Sequence, residues 1–150
     1  RVDLTNVNIS GTNFTRANLT HTNMSNSNLR GINFQGADLS GADLTGADLS
    51  NCNLKGATLS GAKLLRAMLF GSDLSDAKLY HADLQDVNLV ASQGSATPSS
   101  FNLDGANLSG ANLKGADLSK ASVKGTILKD AKDLTAEQKA DLQKRCAIVD

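Results

Sequence analysis

This chain has little with which to do chemistry. It holds two histidines, two cysteines, one tyrosine, one proline and no tryptophan among its 150 residues. No Ser–His–Asp set, phosphate-cradling loop or pair of buried carboxylates can be assembled from it, and no motif calls for a cofactor, so the sequence points away from an enzyme. Two cysteines, Cys52 and Cys146, are too few for a disulfide framework. Charge of one sign is also missing. Fifteen basic residues face fifteen acidic ones, and the balance is local: residues 1–50 carry three basic and four acidic groups, 51–100 four and four, 101–150 eight and seven. A surface balanced in this way offers no electrostatic footprint for nucleic acid or anionic lipid. No apolar run approaches a membrane span, so membrane insertion is not expected.

What the chain does have is a period. From Leu4 to Leu89 every fifth residue is Leu, Ile, Phe or Met, and Leu103, Leu108, Leu113, Leu118, Val123 and Leu128 resume the series. Self-similarity at a fixed spacing is the signature of stacked units. Two positions before each apolar centre the residue is mostly Ala, as at Ala37, Ala42 and Ala47. One position before the centre it is mostly Asn or Asp, and one after it mostly Ser, Thr or Lys. Apolar and polar residues alternate across these four positions, which is strand-like. Twelve of the thirteen glycines fall two positions after a centre, and Asn, Asp, His, Arg and Lys fill most of the remaining places in that column. The column marks a turn every five residues. A helix would smear a five-residue period around its axis, and a straight strand would flip alternate centres to opposite faces. Bending the same way at every corner keeps all the centres inside.

The triplets Ala37-Asp38-Leu39, Ala47-Asp48-Leu49 and Ala106-Asn107-Leu108 match A(D/N)LXX, and over about residues 2–130 the chain resembles the pentapeptide-repeat family. The resemblance implies an all-β solenoid: a right-handed, quadrilateral parallel β-helix with twenty residues per coil. Twenty-four centres then give about six coils. It also implies a non-enzymatic scaffold, either structural or contacting a protein partner. The alternative known within the family is a DNA mimic that modulates a type II topoisomerase, which demands a dense negative rod that this neutral chain lacks. Similarity to lumenal members suggests the thylakoid lumen, of chloroplasts or cyanobacteria, with the cytoplasm as the alternative.

Two stretches depart from the pattern. Fourteen residues separate Leu89 from Leu103, and the segment 91–100 contains Pro98, so an insertion near 91–102 is expected to bulge from one corner. If Leu103 takes the next side after Leu89, nine residues have been added. After residue 130 the pentads stop and helix formers take over. Thr135 followed by Gln138 reads as a capping box. The expected organisation is a β-helix over 1–130 and a short helical cap over 131–150, laid on the last coil to protect its open edge.

The ends and rare residues carry smaller expectations. Arg1 starts inside the array, which suggests a processed form or an excised domain, and an uncapped first coil suggests a homodimer formed through it. His21 and His81 share a corner three coils apart, roughly 14 Å, too far to share a metal. Cys52 should be a buried small hydrophobe and Cys146 the exposed, more reactive thiol, unpaired with each other.

One irregularity rises above the scaffold. The positions flanking each centre should be polar, yet Leu65, Met68, Phe70, Tyr80 and Val90 are not. Phe70 and Val90 are expected to stack on one side, with Leu65 and Met68 flanking the corner that leads into it. Such a cluster is either covered by the 91–100 loop or forms a contact patch for a protein partner.

Overall fold

The chain turns every five residues because the corner position adopts left-handed backbone angles. All twelve corner glycines have positive φ, from +64° at Gly41 to +72° at Gly115. Asn6, Arg16, His21, Asn26, Asn51, Arg66, Asp76, His81, Asp86 and Asp130 take the same corners at +54° to +58°. A side chain in that region costs roughly 1–2 kcal/mol, which explains why glycine and asparagine recur. The computed structural model describes residues 2–89 and 101–150.

Between corners the chain runs extended just long enough for one bridging residue per side, and the bridges form four parallel ladders. The first links Asp3, Asn23, Asp43, Lys63, Asp83, Asn112 and Lys132; the second links Asn8, Asn28, Asp48, Met68 and Asn88. The third links Asn13, Asn33, Asn53, Asp73 and Asn102, and continues as β1 (Phe101–Asn102) paired with β2 (Ala121–Ser122). The fourth links Asn18, Asp38, Thr58, Lys78, Asn107, Ile127 and Ile148. The register is twenty residues except where the chain crosses the insertion, in three ladders, and where it crosses the C-terminal helix, in one. Asp73 pairs with Asn102, twenty-nine residues on, so the insertion adds nine residues and Leu103 does take the next side. Ile127 pairs with Ile148, twenty-one residues on, across the helix α1 (Ala136–Lys144). The ladder therefore continues past α1, which stands in for two sides of a coil.

All the centres from Met24 to Leu84 are at most 1 % exposed, and Ala sits beside them. Phe14 and Phe34 stack on the third side with ring centroids 5.8 Å apart. Four polar residues at the small inward position bond to a centre carbonyl twenty-three residues earlier: Ser27 to Leu4 (2.6 Å), Cys52 to Leu29 (3.0 Å), Ser72 to Leu49 (2.7 Å) and Thr126 to Leu103 (2.7 Å). Those bonds let a hydroxyl or thiol sit in the core without an unmet polar group.

The Asn/Asp column has a function in folding beyond facing water. Its Oδ1 accepts the backbone N–H two residues on, across each centre: Asn13 from Thr15 (2.9 Å), Asp38 from Ser40 (3.0 Å), Asp73 from Ser75 (2.9 Å) and Asn107 from Ser109 (3.0 Å). This Asx turn leads into each corner where Asn or Asp holds the column, as at these four. At the far end, Thr135 accepts from the Gln138 backbone N–H at 3.1 Å while the Gln138 side chain accepts from Thr135 N–H at 2.8 Å, a complete capping box. Leu142 is the buried residue of α1. Arg145 fastens the helix down by donating to the Leu118 and Ala121 carbonyls, at 3.0 and 2.9 Å, while pairing with Asp141 at 2.7 Å.

Candidate interaction surface

The five irregular residues do not form one patch. Met68 and Phe70 stand on the side centred on Leu69, Leu65 stands on the side before it, and all three are half-buried. Tyr80 is exposed on the side centred on Leu79, two corners away. Val90 lies outside the described residues, as does the 91–100 segment expected to bulge or to cover the patch. Leu65 and Met68 thus flank the Arg66 corner, Phe70 stands at the far end of the same side as Met68, and Tyr80 belongs elsewhere.

What sits over Phe70 among the described residues is an arginine. Residues 30, 50 and 70 occupy equivalent positions in successive coils, and the Gly31 and Asn51 N–H groups donate to the Ser50 and Phe70 carbonyls at 3.0 Å each. From its place in this column Arg30 brings its guanidinium carbon to 5.4 Å from the Phe70 ring centroid, a cation–π contact. Its NH1 also donates to Asp48 Oδ2 at 3.2 Å. The Arg30 side chain remains 45 % exposed, against 18 % for Asp48. Between Arg30 and Phe70 in this column, Ser50 is completely buried, and its Oγ has no hydrogen-bond partner among the described residues. Sequence reasoning singles out Phe70 but misses its partner, because Arg30 is forty residues away and unremarkable in its own pentad.

The remaining rare residues are structural in placement. His21 and His81 are exposed corners, and each imidazole leans over the glycine one coil on. A Cβ at Gly41 or Gly110 would lie 2.4 or 2.3 Å from the ring Nδ1. Asn26, Asn51, Asp76 and Asp86 lean in the same way over Gly46, Gly71, Gly105 and Gly115. Cys52 and Cys146 are both free, the first buried and the second exposed. Burial pushes the Cys52 thiol up to about 12, so it stays protonated. Among the described residues no group of three or more His, Cys, Asp or Glu is placed to hold a metal, and no helix is long and apolar enough to cross a membrane. A groove of about 190 Å³ runs beside α1, with Leu118, Leu134 and Leu142 in its lining and Asp117, Glu137 and Asp141 around them. Hydrogen bonds from the Ser119 hydroxyl and N–H hold the Asp117 carboxyl below its usual range.

A family model described as pentapeptide repeats matches residues 1–36, 37–76 and 99–131. The chain belongs to the pentapeptide-repeat family. Among solved structures it is similar to a pentapeptide repeat protein from the Arabidopsis thaliana thylakoid lumen, at 25 % identity over 97 % of this chain and 81 % of that one, with a TM-score of 0.34. A pentapeptide repeat protein from Nostoc PCC 7120 is 27 % identical over 92 % of this chain and 84 % of that one, with a TM-score of 0.41. QnrB1, a plasmid-mediated fluoroquinolone resistance protein, is 16 % identical over 99 % of this chain and 90 % of that one, with a TM-score of 0.44. No curated protein matches the chain.

Proposed function

We propose that this pentapeptide-repeat chain is a non-enzymatic scaffold that meets a protein partner through Leu65, Met68 and Phe70. The observation that carries the reading is a break in a mostly polar surface: three half-buried apolar side chains stand along one side and its leading corner, in positions that are mostly Ser, Thr, Lys, Asn or Asp elsewhere. In this reading residues 1–130 form a right-handed rod of six coils and 131–150 close its end, with α1 as the cap. The thylakoid lumen is the compartment we favour, on the likeness to the Arabidopsis protein. Action as a DNA mimic on a topoisomerase is disfavoured by charge, since Lys63 separates Asp43 from Asp83 in the first ladder and the whole chain is neutral.

The test is a photo-crosslinker placed at position 68 and, as a control, at position 80. An adduct with one defined protein from position 68, lost on Phe70→Ser and kept on Tyr80→Ser, is the expected result. Equal adducts from both positions, or retention by Phe70→Ser, would sink the reading.

A further inference from the structure

The cluster around Phe70 specifies more than an apolar contact. Asp38-Leu39-Ser40 and Asp48-Leu49-Ser50 are the same tripeptide two sides apart, on the fourth and second ladders. In the first, both the Ser40 N–H and its hydroxyl donate to Asp38 Oδ1, at 3.0 and 2.6 Å. In the second, only the Ser50 N–H reaches Asp48 Oδ1, at 3.0 Å; Arg30 occupies Asp48 Oδ2, and the fully buried hydroxyl is left without a partner among the described residues. A buried donor in that state is rare in a folded protein and asks for an acceptor. Beside it stands a guanidinium whose orientation is fixed by Asp48 and the Phe70 ring, yet which is nearly half exposed. Its planar fork can accommodate a carboxylate while its stack on the ring persists. Asp48 uses only part of that fork, and Arg66 adds a second exposed cation at the corner between Leu65 and Met68.

We propose that Arg30, Ser50, Met68 and Phe70 form a recognition site for a partner segment in which a carboxylate side chain stands next to a large apolar one. The carboxylate engages Arg30, with the Ser50 hydroxyl as an additional donor once the guanidinium shifts along the ring. The apolar neighbour covers Met68 and Leu65. This rests on the protein-contact reading given above and names the chemistry of that contact.

The test uses the full chain, isotope-labelled, and three acetylated, amidated tetrapeptides: Leu-Glu-Leu-Glu, its glutamine counterpart and its lysine counterpart. Amide shifts are followed during titration at low salt. The expected result is saturable perturbation of residues 28–31, 48–51 and 65–71 by the glutamate peptide, weakened at least fivefold by Arg30→Gln and by 0.5 M salt, with only partial recovery in Arg30→Lys. The circular-dichroism melting curve of each variant establishes that it is folded. If the glutamine peptide perturbs the same residues as tightly, the carboxylate inference fails while the contact patch survives. If the lysine peptide binds best, the charge assignment is wrong. If no peptide shifts these residues, both the carboxylate inference and the patch itself fall.

Discussion

Two units separated by a single pentad, 37–41 and 47–51, begin with the same four residues, Ala-Asp-Leu-Ser, and end up in different chemical states. Inside they are alike: Leu39 and Leu49 are both fully buried, as are Ala37 and Ala47. Outside they diverge. Ser40 stands between Thr20 and Ser60 in its column, and its hydroxyl closes a second bond to Asp38. Ser50 stands between Arg30 and Phe70, loses that bond and is sealed off from water. The pentad dictates backbone and core, whereas surface chemistry is dictated by the residues twenty before and twenty after.

The largest test of that division addresses the core. Leu39→Ala and Leu49→Ala should each lower stability by about 2–5 kcal/mol, and by similar amounts, in denaturant unfolding. A large inequality would show that the difference between the two surfaces reaches inward. Next in size is a pair of corners. Gly41 and Gly61 have nearly the same φ, +64° and +66°, but only Gly41 lies beneath an imidazole. Either glycine replaced by Ala should cost about 1–2 kcal/mol from backbone strain alone. Gly41→Ala should cost more than Gly61→Ala, and the excess should vanish in a His21→Ala background. A persistent excess would mean that His21 is not its source.

The two serines should then respond with opposite signs. Ser40→Ala removes a made hydrogen bond and should destabilise by roughly 0.5–1 kcal/mol, while Ser50→Ala removes an unmet donor and should be neutral or stabilising by a similar amount. Matching signs in chemical denaturation would contradict the difference in hydrogen bonding between them. The smallest effect concerns acid. The Ser40 hydroxyl and N–H, in that order, hold the Asp38 carboxyl below its ordinary 3.8. A depressed carboxyl contributes stability that is present above the unfolded value and lost as pH falls through the folded one. As pH falls below about 4, unfolding should therefore show a shallower acid dependence in Ser40→Ala than in the parent chain.

How much of this was legible in sequence depends on the range of the signal. The five-residue turn, the inward centres and the nine-residue offset are all written within a pentad or a simple count, and the ladders follow them from Asp3 to Lys132. The capping box at Thr135 and Gln138 is equally local. The position of Arg30 over Phe70 was not legible, because it depends on how far a long side chain reaches across two coils. The split of Tyr80 from the other apolar residues follows from counting sides, but grouping by sequence proximity hid it. The return of the chain to the ladder at Ile148 was obscured by α1, although Ala147-Ile148-Val149 keeps the Ala-x-centre spacing. Ile127 below it is a further outward apolar residue that belongs to this return, not to the Phe70 corner.

The imidazoles, amides and carboxylates leaning over the next corner have a consequence for how such a sequence can drift. At His21 and Gly41, Asn26 and Gly46, Asn51 and Gly71, or His81 and Gly110, the second residue has room only for hydrogen while the first keeps its pose. A lineage can exchange a glycine at 41 for asparagine only after position 21 has moved or shrunk. Neutral change at these corners is therefore ordered in time, and descendants should carry paired differences one full coil apart, with Gly61, free of such a lid, changing on its own.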